Sequence, residues 1–219
     1  IFVTGMHLLK RYGSTIHEIR KSGIKNIFKF NNQKINERMN SILSNTIKGF
    51  DKFIKKEKPD LIVVHGDRLE ALAGATAGMF NNILVAHIEG GELSGTVDDS
   101  LRHAISKLSH LHFVSNISHK KRLIQLGENP ETVFNVGAPG LENFLRLRMW
   151  TREELEQDLG IKFQKRVFLV TYHPVTLNER SSSIAMDELF EALQEFSETT
   201  IIFTKANADT DGRVINQLI

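Results

Sequence analysis

Leu61-Ile62-Val63-Val64-His65-Gly66-Asp67-Arg68-Leu69-Glu70-Ala71-Leu72 passes from an apolar run, through a glycine-bearing turn, into a segment of helical spacing. The same pattern returns at Ile83-Leu84-Val85-Ala86-His87-Ile88-Glu89-Gly90-Gly91-Glu92. Further apolar runs of strand length lie at Ile1 to Thr4, Ile24 to Phe30, Leu111 to Ser115, Thr132 to Val136, Val167 to Tyr172 and Thr200 to Thr204. Between them, helices are expected most clearly at Lys34 to Lys56, Asp67 to Phe80, Asp98 to Ser109 and Met186 to Phe196. In Asp98 to Ser109 the apolar residues Leu101, Ala104, Ile105 and Leu108 recur three and four apart, as one face of a helix requires. Apolar strands separated by helices predict an α/β protein whose parallel sheets are covered on both faces.

Leu141 to Lys165 interrupts this rhythm with two helical stretches and no strand between them. Thr151, with Glu154 three residues on, is a capping-box pattern opening the second. The expected division is therefore 1–150 for a first Rossmann-like domain and 151–219 for the start of a second, whose first strand lies near Arg166. The opening inside a strand and the close inside an apolar helical run predict a further strand–helix unit before Ile1 and more of the second domain after Ile219.

Composition excludes several classes. A net charge of +2 offers no strong field for nucleic acid or an anionic membrane. The basic clusters at Lys52 to Lys58 and at Lys120, Lys121 and Arg122 read as solvated helix faces or helix ends. Cysteine is absent, which removes disulfides, thiolate metal ligands and thiol nucleophiles and fits the cytoplasm. Apolar runs are far shorter than the ~20 residues of a membrane helix.

Ligands of doubly wound sheets bind beyond the carboxyl ends of the strands. After the strands come His65-Gly66-Asp67-Arg68, His87-Ile88-Glu89-Gly90-Gly91-Glu92, then Val97-Asp98-Asp99-Ser100-Leu101-Arg102-His103, and later Tyr172-His173-Pro174. Three carboxylates and several imidazoles thus gather on one rim. Each has a plainer reading: Asp67 as a helix cap, Asp98 and Arg102 as a solvated ion pair, His173 as a turn residue. Glu89 is harder to explain that way, since Glu is neither a preferred turn residue nor a good cap.

No metal site is expected. His87-Ile88-Glu89 lacks the downstream cysteine pair of the zinc deaminases. Asn207 to Gly212 begins like a calcium loop but has Leu218 where a bidentate Glu is needed. A divalent ion held by His65, Asp67 and His87 stands as the alternative. Ser94 lacks the glycine of a nucleophile elbow, and no dinucleotide or P-loop fingerprint is present.

The long motif His87 to Ser100, with His65 to Leu72, Arg102 to Leu108, Val3 to His7, His173 to Thr176 and Asn207 to Thr210, resembles the hydrolysing UDP-N-acetylglucosamine 2-epimerases over essentially the whole chain. The resemblance implies a GT-B-like fold, two Rossmann-type domains with a UDP-sugar in the cleft between them. It implies elimination of UDP to a glycal, then hydration to N-acetylmannosamine, with no cofactor. Non-hydrolysing relatives typically carry Ala-Gly-Leu-Arg and Pro-Glu-Glu where this chain has Gly90-Gly91-Glu92 and Val97-Asp98-Asp99, so the resemblance favours the hydrolysing branch. By the same correspondence Asp67, Glu89 and Asp98 match catalytic carboxylates, Arg102 and His173 match substrate contacts, and Asn207 falls in a nucleotide-facing motif. The N-terminal Gly-rich loop and the C-terminal uridine loops of the family are not in this sequence. A homo-oligomer, without nucleic-acid or membrane partners, is implied. The open alternatives are a sister enzyme acting on UDP-N,N'-diacetylbacillosamine, a GT-B glycosyltransferase, and an inactive nucleotide-sugar sensor. The C2 base is left between Glu89 and Asp98.

Overall fold

The computed structural model describes residues 1–34, 37–95, 97–173, 182–206 and 212–219. The chain forms two compact units, Ile1–Asn143 and Phe144–Ile219.

In the first unit, β1 (Phe2–Val3) pairs in parallel with β2 (Phe28–Lys29). A separate parallel sheet runs in the order β3 (Leu61–His65), β4 (Leu84–Ile88), β5 (Leu111–Val114), β6 (Val133–Asn135). The connecting helices are α1 (Ile16–Lys21), α2 (Met39–Glu57), α3 (Leu69–Phe80), α4 (Val97–Lys107) and α5 (Ile117–Gln125). α2 buries Ile42, Thr46, Phe50 and Ile54, a stripe at helical spacing, and ends where Lys58 turns left-handed before Pro59. α3 buries Ala71, Ala73, Ala75 and Ala77 around its circumference, and Gly78 brings it close to the sheet, where a Cβ would stand 2.5 Å from Val85 Cγ2. These alanines pack with Ile62, Val64, Val85 and Ile105 into one core. Every strand foreseen in the first unit is present, β3 with the foreseen bounds and the others shorter.

The coverage of the sheet differs from expectation at β3. Ile62 and Val64 are buried, but Leu61 and Val63 on the other face are 42% and 58% exposed. α2, α3 and α4 all contribute to one core cluster on the Ile62 and Val64 side. α2 also begins at Met39, later than the sequence reading placed it.

In the second unit, α6 (Asn143–Arg146), which starts on the last residue of the first, leads to α7 (Arg152–Leu159). The capping box that opens α7 is formed: Thr151 Oγ accepts from Glu154 N, and Glu154 Oε2 accepts from Thr151 N at 2.8 Å. β7 (Arg166–Thr171) pairs in parallel with β8 (Thr199–Thr204), with α8 (Ser182–Gln194) and α9 (Gly212–Leu218). Met186, Ala206 and Ile215 form its buried core. No helix among the described residues is long and apolar enough to cross a membrane.

Candidate active site

Parallel pairing aligns His65 at the end of β3 with Ile88 at the end of β4. The residues that follow, Gly66-Asp67 and Glu89-Gly90-Gly91, therefore emerge side by side. α4 starts after the next loop, with Asp98 in its first turn and Arg102 one turn later. Arg102 points inward and is only 7% exposed. Its guanidinium pairs with the Asp67 carboxylate, donates to the Glu89 carbonyl at 2.8 Å, and meets a Glu92 oxygen at 3.2 Å. A surface reading of Arg102 fails on that burial. The capping role for Asp67 fails too: Arg68 occupies the N-cap of α3, and no side chain caps that end.

Glu89 has a left-handed backbone, φ 62°. For a residue with a Cβ this conformation costs on the order of 1–3 kcal/mol and persists only where surroundings over-determine it. Here they do. Its N–H donates to the Phe113 carbonyl at 2.8 Å, its carbonyl accepts from Arg102, and its Oε2 lies 2.6 Å from His65 Nε2. The turn continues through Gly91, φ 80°, where a Cβ would stand 2.6 Å from the His119 carbonyl. The Gly91 carbonyl accepts from Arg122. Arg122 thus leaves the solvated basic face that its neighbours suggested and holds the site loop.

His87 is fully buried. Burial, the largest influence, pulls its pKa down to about 4, against the opposing effect of the Gly66 carbonyl. Its Nε2 donates to the Gly66 carbonyl at 2.7 Å, and its Nδ1 lies 3.0 Å from Ser106 Oγ. Both nitrogens are engaged within the protein, which takes His87 out of the alternative set with His65 and Asp67. Asp99 ties the incoming loop to α4, accepting from Ser94 N at 2.6 Å, Ser94 Oγ at 3.0 Å and Gly95 N at 3.0 Å. The Ser94 N–H, first among these bonds, holds the Asp99 carboxyl below its usual range.

A cavity of about 330 Å³ opens beside His65, lined in part by Thr4, Met6, His7, Arg68 and Glu70. It joins the motif Val3 to His7 to the motif His65 to Leu72. A larger cavity, about 600 Å³, lies against α2 and α3 around Phe30, Lys48, Asp51 and Phe80, with one carboxylate and no imidazole. Of the two, the smaller one borders His65, the partner of Glu89.

Arg102 thus touches both the Asp67 carboxylate and the Glu89 main-chain carbonyl, and Asp98 stands one turn from Arg102 on the same helix. His173 is exposed just after β7, in the second unit. Asn207 lies outside the described residues.

The sequence profile described as UDP-N-acetylglucosamine 2-epimerase matches residues 1–219. The chain belongs to that family. It is 40% identical over 217 residues to a UDP-N-acetylglucosamine 2-epimerase of Neisseria meningitidis, covering 99% of this chain and 57% of that protein. It is also 40% identical over 224 residues to a UDP-N,N'-diacetylbacillosamine 2-epimerase (hydrolyzing) of Legionella pneumophila, covering 100% of this chain and 59% of that one. The chain spans less than two thirds of these curated relatives. Among solved structures it is similar to a UDP-N-acetylglucosamine 2-epimerase from Rickettsia bellii, with a TM-score of 0.68 at 21% identity, covering 92% of this chain and 53% of that one. That likeness carries the GT-B-like fold, of which the second domain is present in part.

For a member of the epimerase family, several residues on this rim went unselected in the sequence reading. Glu92 and Asp99 sit inside the long motif, which was the available signal, and their carboxylates are bound by Arg102 and by the loop amides. His65 was considered only as a metal ligand, yet it contacts Glu89. Ser106 lies within the matching segment Arg102 to Leu108 and Arg122 within a basic cluster, but neither position marks its role, because each acts across a distance in sequence. Together the groups offer one carboxylate neutralised by a guanidinium and another beside an exposed imidazole, which is an acid–base arrangement.

Proposed function

We propose that this protein is a hydrolysing UDP-N-acetylglucosamine 2-epimerase supplying N-acetylmannosamine to sialic-acid-type sugar synthesis. The observation that carries the reading is Glu89, whose carboxylate lies 2.6 Å from His65 on a strained backbone, and whose carbonyl is held by the Arg102 that pairs with Asp67. A base removes the C2 proton of the sugar, the C1–O bond breaks toward UDP, and a C1–C2 double bond forms. Water then adds, hydroxyl to C1 and a proton to C2 on the opposite face. Glu89 is the better candidate base than Asp67, whose charge is engaged by Arg102. His65 passes the proton between Glu89 and solvent. Asp98 serves as the further carboxylate, stabilising positive charge on the ring or activating water. Arg102, His173 and Asn207 contact the substrate, with cationic or neutral donors suiting the departing diphosphate. A cytoplasmic homo-oligomer that needs no cofactor completes the proposal.

Turnover in deuterium oxide tests the route: deuterium is expected at C2 of the released N-acetylmannosamine. Glu89→Gln should slow turnover by ~10²–10⁴-fold while UDP still binds. A C2 proton retained from substrate would sink the glycal route. The second reading, UDP-N,N'-diacetylbacillosamine as substrate, is favoured by the equal 40% identity to the Legionella pneumophila enzyme. Product analysis by NMR with both UDP-sugars separates the two.

A further inference from the structure

A ring of contacts closes behind the acid–base groups. The Gly66 carbonyl, immediately before Asp67, accepts from His87 Nε2 at 2.7 Å. His87 Nδ1 lies 3.0 Å from Ser106 Oγ, and Ser106 Oγ donates to the Arg102 carbonyl at 3.0 Å. The Arg102 guanidinium returns to the Asp67 carboxylate. Three elements are joined: the end of β3, β4 and α4.

The proton positions follow from the partners. A carbonyl only accepts, so the ring carries its proton on Nε2. In the neutral ring Nδ1 can only accept, and Ser106 supplies the hydroxyl whose single proton is shared between His87 and the Arg102 carbonyl. Gly90 gives independent support. A Cβ there would stand 2.9 Å from both His87 Nδ1 and Ser106 Oγ, so the site loop is built to lie directly over this pair. A buried imidazole is costly unless hydrogen-bonded, and an apolar side chain would fill the same space without that cost.

We propose that His87 is a positioning residue: with its proton on Nε2 it holds Gly66-Asp67 on one side and, through Ser106, the Arg102 turn on the other, and so sets where Asp67 and Arg102 meet. The catalytic consequence rests on the epimerase reading, whereas the geometry does not.

The test combines kinetics with side-chain nitrogen NMR on the whole protein. The wild-type spectrum should show the His87 proton on Nε2. Ser106→Ala, the variant least able to disturb folding, should shift the Arg102 guanidinium signals. It should also lower kcat by roughly 10–10²-fold with KM within about twofold, since a misplacement of about 1 Å can cost ~10²-fold. His87→Gln, whose amide N–H can replace Nε2–H, should retain more activity than His87→Leu. A proton on Nδ1, or Ser106→Ala with wild-type kcat and unshifted Arg102 signals, would overturn the proposal. If the wild type releases no sugar from either UDP-sugar, the epimerase reading fails, and the tautomer and the Arg102 signals decide the positioning role alone.

Discussion

His87 and His112 are register partners on adjacent strands, both fully buried, and yet their surroundings differ in kind. His87 meets a carbonyl and a hydroxyl, and both ring nitrogens are bonded. His112 meets charge instead: its Nε2 lies 3.2 Å from Glu128 Oε2, outside hydrogen-bond geometry, and Glu128 Oε1 pairs at 2.7 Å with the half-exposed Lys107. Burial lowers both pKa values, with the Glu128 charge partly opposing it at His112. The difference teaches that burial alone does not make a histidine part of a site. What distinguishes His87 is that each of its partners is one step from Asp67 or Arg102.

The sharpest way to break this comparison is Arg102→Met. It leaves Asp67 and Glu92 without their cation, and stability is expected to fall by about 3–5 kcal/mol in urea unfolding, as for breaking a buried pair. A loss below about 1 kcal/mol would place Arg102 among surface ion pairs.

Next is pH. The His87 pKa falls from 6.5 unfolded to about 4 folded. Below pH 6.5 the unfolded chain therefore takes up a proton that the folded chain refuses. Stability is full above about 6.5 and declines as pH falls toward about 4, by about 3 kcal/mol at ~1.4 kcal/mol per unit. His112 adds in the same direction. In His87→Gln the decline should shrink by the His87 share, and a slope equal to wild type would contradict the assignment.

Gly90→Ala should cost about 1–3 kcal/mol through overpacking against His87 and Ser106. The same thermal or urea measurement on the variant checks it, and a neutral effect would mean the loop has room to move. The smallest effect is expected at Lys107→Met. Its pair with Glu128 is half exposed, so less than about 1 kcal/mol should be lost. A larger loss would make the Lys107–Glu128–His112 cluster the stronger of the two.

Much of this was legible in the chain itself. Strand runs and helical stripes are local patterns, and the runs Leu61 to His65 and Ile83 to Ile88 predicted their strands to within a residue. Thr151 and Glu154 announced their capping box for the same reason, since its partners are three residues apart. Residue types after strand ends marked Asp67, Glu89 and Arg102 as candidates, and Glu89 stood out because neither turn nor cap explained it. Tertiary structure alone decided which groups touch. Arg102 reaches Asp67 across 35 residues, Glu89 meets His65 across 24, and Arg122 reaches Gly91 across 31. Such pairings depend on strand order and helix rotation, which local periodicity does not encode. The left-handed backbone of Glu89 belongs to the same class, because bonds from Phe113, Arg102 and His65 hold it, and none of those partners is near it in sequence.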